Sequence, residues 1–217
     1  MSLSIDVVSD VVCPWCFIGK RRLEGALALY AKERPGAPAP TVTWRPFQLN
    51  PGLPAEGMAR ADYVAQKFGP RGGAVYTRVA AVGREVGIDF AFDRITRQPN
   101  TLAAHSLIEL AGAQGRQDAT KEAFFRAYFL DGVDLTAREN LVAIATSAGL
   151  DRATVEEWLD NAEAREATAA EDARAREIGI EGVPFFVFNG RLGVSGAQGS
   201  EVLLDAMKQA ESAPSDP

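Results

Sequence analysis

The two cysteines of this chain lie in one tetrapeptide, Cys13-Pro14-Trp15-Cys16. An apolar run over residues 5–12 precedes it and an amphipathic run follows it. This order predicts a strand, a tight turn and a helix that carries Cys13 at its N-terminus, because proline is favoured in the first helical turn. Unpaired N–H groups and the helix dipole stabilise a thiolate at that position. We therefore expect Cys13 to have a lowered pKa and to act as the nucleophile.

Cys16 follows one helical turn later on the same face, at a Cβ separation of about 5–6 Å from Cys13. A small adjustment of the turn lets the two sulfurs join. The pair therefore predicts a reversible dithiol/disulfide. A structural disulfide is disfavoured, because so short a loop constrains the unfolded chain little. The two thiols could instead pack inertly in the core or bind a metal. A zinc site needs about four ligands, and the chain offers one further histidine, His105, so we predict no metal site.

Composition and charge exclude several kinds of partner. The chain has 217 residues and a net charge of −6, without a basic patch, so we predict no nucleic-acid partner. No run approaches the roughly 20 apolar residues of a membrane-spanning helix. The N-terminus lacks the pattern of a signal peptide, which favours a cytoplasmic protein. In that compartment a cysteine pair is more often catalytic than structural.

The hydrophobic periodicity predicts an α/β fold. Strands are predicted over residues 4–9 and 41–47, and the intervening helix makes them a parallel pair. Helical patterns then dominate to about residue 178. Strand patterns return on both sides of Asn189-Gly190, a strong hairpin signal, and a last helix follows over residues 199–210. We therefore predict a four-stranded mixed sheet, βαβ then ββα, with a large all-helical insertion.

This order divides the chain into four parts. The two sheet fragments are not stable alone, so they must join across the insertion. The predicted boundaries are 1–53 for the N-terminal half of the sheet domain, 54–165 for the helical insertion, 166–211 for the C-terminal half and 212–217 for a disordered tail.

The element order and the Cys-Pro-Trp-Cys tetrapeptide resemble the thioredoxin superfamily, and the inserted helical block resembles the DsbA family. Five stretches are similar to the FrnE-like branch of that family. They are residues 10–20 (DVVCPWCFIGK), 47–51 (FQLNP), 100–105 (NTLAAH), 179–186 (GIEGVPFF) and 194–198 (VSGAQ). The first and fourth stretches together are highly specific, and the similarity covers nearly the whole chain up to the tail. The fold implied is a thioredoxin-like one.

The resemblance implies thiol–disulfide exchange, with Cys13 as the attacking thiol and Cys16 as the resolving thiol. It also implies a cis peptide bond at Pro184. The residues expected to contact substrate are Trp15, Pro14, Val183 and Pro184. Partners would be proteins or small thiols and disulfides. No bound cofactor is expected, with glutathione a candidate redox partner.

Two departures from the family limit what is carried over. Pro-Trp stands between the cysteines where the periplasmic oxidase has Pro-His, so that enzyme's strongly oxidising character is not expected here. The chain also has no cysteine after Cys16, so a relay through a second cysteine motif is absent.

Two further functions remain open. Related glutathione-dependent 2-hydroxychromene-2-carboxylate isomerases and kappa-type glutathione transferases carry serine at the position of Cys13 and use glutathione's thiol as the nucleophile. Their activity would be isomerisation or transfer on a small aromatic substrate. A non-catalytic thioredoxin-fold binding protein is the second possibility, because such a fold can lose its chemistry.

Polar residues elsewhere are candidate accessory residues. His105 is either a satisfied histidine at the edge of the core or a group that tunes the sulfurs. Asp10 either caps the turn or accepts a proton from Cys16. The others either bind an extended substrate or cap local structure, and they are Gln48, Asn50 and Asn100. The basic cluster over residues 20–22 is predicted to be a solvated helix face.

Overall fold

The first half of the sheet forms as its periodicity predicts. The computed structural model describes residues 3–212. Strand β1 (Ser4–Ser9) leads into helix α1 (Pro14–Glu33), and strand β2 (Thr41–Pro46) returns parallel to β1. The apolar residues of β1 are buried on both faces of the sheet, which is the pattern expected of a central strand.

The second half completes a mixed sheet with the strand order β2-β1-β5-β6. Strand β5 (Phe185–Phe188) pairs antiparallel with β1, and β6 (Leu192–Ser195) pairs antiparallel with β5. Asn189 and Gly190 join these strands with φ angles of 49° and 67°, the positive values that a type I′ turn requires. The four-stranded sheet and the hairpin are therefore confirmed.

Seven helices separate β2 from β5. They are α2 (Arg60–Phe68), α3 (Gly72–Glu85), α4 (Leu102–Ala113), α5 (Gln117–Phe129), α6 (Arg138–Ser147), α7 (Arg152–Asp160) and α8 (Ala162–Glu177). A two-stranded ribbon of β3 (Met58–Ala59) and β4 (Arg97–Gln98), which the sequence does not predict, ties the start of this block together. Among residues 3–212, no helix is long and apolar enough to cross a membrane.

Aromatic side chains join the helical insertion to the sheet domain. Phe125 and Phe129 of α5 are fully buried and stack on Phe17 of α1, with ring centroids 5.0 Å and 6.2 Å away. On the far side of α1, helix α9 (Ser200–Ser212) packs its buried face against α1. The helix of the cysteines is therefore held from both sides.

Three expectations about the chain's organisation need comment. The boundary at 165/166 falls inside α8, and the division into 1–53, 54–165 and 166–211 stays a prediction. Ser212, placed in the predicted tail, ends α9, and residues 213–217 lie outside the described part. The solvated face predicted for residues 20–22 is wrong for Lys20. That side chain is buried and pairs with Glu24 and, across to α5, with Asp118.

Candidate functional site

The two cysteines occupy the first turn of α1, where strand β1 delivers the chain to the edge of the sheet. Cys13 is the N-cap residue, and Pro14 is the first residue of the helix. The Cys13 carbonyl accepts the backbone N–H of Cys16 at 3.0 Å, which closes the turn. Pro14 fits this position because its missing N–H would have no partner in the helix. The predicted position of the pair in the fold is confirmed.

The two thiols differ in environment. Both are free, with Cys13 4% exposed and Cys16 fully buried. Burial raises the pKa of the Cys16 thiol well above its usual range, and the hydrogen bond and charge of Cys13 act in the same direction. Trp15 lies between them in the sequence with 36% of its surface exposed, so its ring is available at the mouth of the site.

A loop from the other end of the chain forms the wall opposite Cys13. The Val183–Pro184 peptide bond is cis. The Cys13 thiol donates a hydrogen bond to the Val183 carbonyl, with Sγ and O 3.6 Å apart. The Pro184 carbonyl accepts the Gly196 N–H at 2.9 Å, which ties the loop to the end of β6. The sequence-predicted residues Cys13, Val183 and Pro184 are thus brought together.

Gly19 allows this loop to approach α1. A Cβ atom on Gly19 would lie 2.9 Å from Cγ of Pro184 and 3.3 Å from Cζ of Phe186. We expect Gly19→Ala to lower the free energy of unfolding by about 1–3 kcal/mol, because the rigid proline ring must move. Urea unfolding measures this change. Gly73→Ala is the matched control, since nothing lies within 4 Å of its added Cβ. Equal stabilities of the two variants would contradict the prediction.

Beneath the cysteines, Asp10 and His105 form a buried pair. His105 Nε2 lies 3.3 Å from Asp10 Oδ1, and both residues are almost completely buried. Asp10 Oδ2 also accepts the Leu49 N–H at 2.7 Å. Burial would raise the pKa of Asp10, but the contact with His105 and the Leu49 amide outweigh it and the pKa is lowered. Burial lowers the pKa of His105. A neutral His105 that donates to an ionised Asp10 satisfies both directions.

The remaining polar candidates have mainly structural contacts. Gln48 connects the end of β2 to α8, because its N–H donates to Asp172 at 2.6 Å and its carbonyl accepts from Arg176 at 2.5 Å. Asn100 Nδ2 donates to the Leu53 carbonyl, and its Oδ1 accepts the first N–H of α4. Buried side-chain atoms of Gln48 and Asn50 have no hydrogen-bond partner among residues 3–212.

The sequence analysis missed one charged residue of the site, Lys121 of α5. Its side chain is fully buried, and its Nζ lies 3.5 Å from the Ser9 carbonyl at the end of β1. A signal existed, because Lys121 shares helical spacing with Phe124, Phe125 and Tyr128, all of them buried. A lysine on the apolar face of a helix is an exception that demands a reason.

Metal binding finds no support in the geometry. Within residues 3–212, no three side chains of His, Cys, Asp or Glu group closely enough to hold a metal ion. The arrangement consists of a thiol at a helix N-terminus, a second thiol buried behind it and a backbone wall that faces the first.

Comparison with known proteins places this geometry among redox proteins. The model of the DSBA-like thioredoxin domain matches residues 4–208. A crystal structure of a probable DsbA oxidoreductase from Streptomyces coelicolor is 32% identical, with a TM-score of 0.88 over 99% of this chain and 92% of its own. Two more distant structures share the fold. A 2-hydroxychromene-2-carboxylate isomerase is 18% identical, with a TM-score of 0.69 over 95% of each chain. The cytosolic disulfide reductase DsbM from Pseudomonas aeruginosa, solved with glutathione, is 16% identical, with a TM-score of 0.60 over 95% of each chain.

Proposed function

Because this chain belongs to the DSBA-like thioredoxin domain family, we propose that it is a thiol–disulfide oxidoreductase that acts through Cys13 and Cys16. The observation that carries the proposal is the contact between the Cys13 thiol, at the N-terminus of α1, and the Val183 carbonyl, with Cys16 buried one turn behind. This arrangement offers one sulfur to a substrate and keeps the other in reserve.

The exchange proceeds through a mixed disulfide. In the reductive direction, the Cys13 thiolate attacks a substrate disulfide, and one substrate sulfur leaves as a thiolate. Cys16 then loses its proton and attacks Cys13. The second substrate sulfur leaves and takes up the proton, and a Cys13–Cys16 disulfide remains. Two electrons pass from the protein to the substrate, and the oxidative direction reverses these steps.

The loop at Val183 and Pro184 supplies the surface on which a substrate can lie. The Val183 backbone faces Cys13, so an extended substrate can pair with it by main-chain hydrogen bonds. Pro184 offers no N–H that could compete for the sulfurs. Pro14 and the exposed ring of Trp15 form the opposite lip. Gln48, Asn50 and Asn100 are secondary candidates for substrate hydrogen bonds.

Substrates of this reaction are proteins or small thiols and disulfides, with glutathione as the redox partner and no bound cofactor. Asp10 and His105, buried behind the sulfurs, set the electrostatic environment of Cys16 and do not contact substrate. The cytoplasmic location remains a prediction of the sequence.

A redox titration tests the proposal. The protein is equilibrated with a series of glutathione buffers, and its free thiols are counted by alkylation and mass spectrometry. We expect Cys13 and Cys16 to change together in one two-electron transition, with a midpoint inside the range of about −320 to −120 mV spanned by thioredoxin-fold proteins and cellular glutathione. Two thiols that stay free throughout the series would overturn the proposal and favour the glutathione-dependent isomerase or a binding protein.

A further inference from the structure

Lys121 carries a charge that the exchange mechanism above does not use. Its Nζ lies 5.5 Å from the ring centroid of Trp44 and 5.1 Å from that of Phe125, on the inner side of α5. Its hydrogen bond goes to the Ser9 carbonyl. Among residues 3–212, no carboxylate oxygen lies within 4.0 Å of this ammonium. Lys20, which is also buried, has three carboxylate partners, Glu24, Asp118 and Glu122.

A buried ammonium without a close carboxylate is costly, and proteins retain one where another anion compensates it. Aromatic faces and one carbonyl supply part of that compensation. Asp10 is already engaged by Leu49 and His105. Among the charged partners of Lys121, Cys16 has the strongest influence on its pKa, ahead of Asp10 and Cys13. The missing anion is therefore a sulfur of the cysteine pair.

One peptide group connects Lys121 to Cys16. The carbonyl of the Ser9–Asp10 peptide accepts from Lys121 Nζ at 3.5 Å. The N–H of the same peptide belongs to Asp10, whose backbone hydrogen-bonds the Cys16 sulfur and favours its thiolate. A cation at the carbonyl polarises the peptide and strengthens its N–H as a donor. The charge on α5 is thus transmitted to a sulfur on α1.

We propose that Lys121 is a positioning residue for the resolving step, and that its ammonium stabilises the Cys16 thiolate through the Ser9–Asp10 peptide group. The inference rests on the proposed function and deepens it. In this step the Cys16 thiol loses its proton and its sulfur attacks Cys13, so that the bond between Cys13 and the substrate sulfur breaks. The substrate sulfur leaves with the electron pair and takes up the proton.

The other charged groups around Lys121 leave this role to it at neutral pH. Burial lowers the pKa of Lys121 to about 8, so the ammonium predominates at pH 7. From α4, His105 is held neutral by burial. Arg45 and Glu109 line the same small enclosed space, but they are engaged by Asp6 and Thr168. The remaining charged groups that face Lys121 are Asp10, Cys13 and Cys16.

Stopped-flow reaction with dithiobis(nitrobenzoate), an aromatic disulfide, tests the role. The first coloured thiolate released reports attack by Cys13, and the second reports resolution by Cys16. Lys121→Met and Lys121→Gln remove the charge, and circular dichroism confirms the folding of each. If Cys16 loses one pKa unit of stabilisation, its thiolate becomes about tenfold rarer. The more basic thiolate is about threefold more nucleophilic, so the second phase should slow about threefold.

Lys20→Met is the matched control, because it removes a buried ammonium of the same charge from α1. We expect the second phase to slow, and its rise with pH to move to higher pH, in both Lys121 variants and not in Lys20→Met. An unchanged second phase in either folded Lys121 variant, or equal slowing in Lys20→Met, overturns the inference. The reagent reacts with any accessible thiol, so this outcome is independent of whether the glutathione titration supports the proposed function.

Discussion

Replacing Cys13 with serine should abolish the reduction of an insulin-type disulfide substrate. The expected loss is about a thousandfold or more, the scale on which enzymes lose activity without their nucleophile. A serine hydroxyl is not ionised at neutral pH and cannot enter a disulfide. The measurement is turnover of the disulfide substrate with a thiol reductant, for the wild type and the variant at equal concentration.

Two comparisons make this result specific. Cys16→Ser retains the attacking thiol, so it should accumulate a mixed disulfide with the substrate that mass spectrometry detects. A glutathione-dependent isomerase places the nucleophile on glutathione, so Cys13→Ser would keep most of a chromene-carboxylate isomerisation. Isomerisation that survives in Cys13→Ser, together with no disulfide reduction by the wild type, would refute the oxidoreductase.

Asp10→Ala should cost about 3–5 kcal/mol of unfolding free energy, because removing one member of a buried charged network leaves its partners unpaired. The partners left are His105, the Leu49 N–H and the Lys121 ammonium. Folding lowers the pKa of Asp10 below 3.8, so its contribution is complete above that pH and is lost as the pH falls through the folded value. The difference between wild type and variant should therefore shrink in acid.

Asp6→Ala is the control for this measurement. Asp6 lies on the same strand and pairs with Arg45 at 2.7 Å, but its side chain is 30% exposed. Exposed ion pairs contribute about 0–1 kcal/mol, so urea unfolding of Asp6→Ala should show a loss within that range. If Asp10→Ala loses no more than Asp6→Ala, the buried network does not stabilise the fold as described.

The sequence predicts what depends on local pattern and misses what depends on distant partners. The position of Cys13 follows from a strand, a proline and a helix that adjoin one another, and the hairpin follows from Asn189-Gly190. The ribbon of β3 and β4 has two residues in each strand, too few for any periodicity. Lys20 looked solvated because its carboxylate partners on α5 are about 100 residues away in the sequence.

The same distinction holds at the site. His105 could be singled out as a candidate, but its partner Asp10 is 95 residues away, and no local pattern identifies that pair. Lys121 interrupts an aromatic helix face, which marks it as unusual without giving its purpose. Only the packing of α5 under the end of β1 supplies that purpose.

The strand order has a consequence for how the protein is made on the ribosome. Strand β5 lies in the middle of the sheet, next to β1, although its residues are among the last to be synthesised. Until β5 emerges, the nascent chain carries β1 with one bare edge, a surface that invites pairing with other chains. Its two cysteines are already present, but the wall that faces Cys13 is 170 residues further along. A substrate surface and a protected sheet are therefore acquired in the same late step, so that chains released early carry reactive thiols without the means to select a substrate.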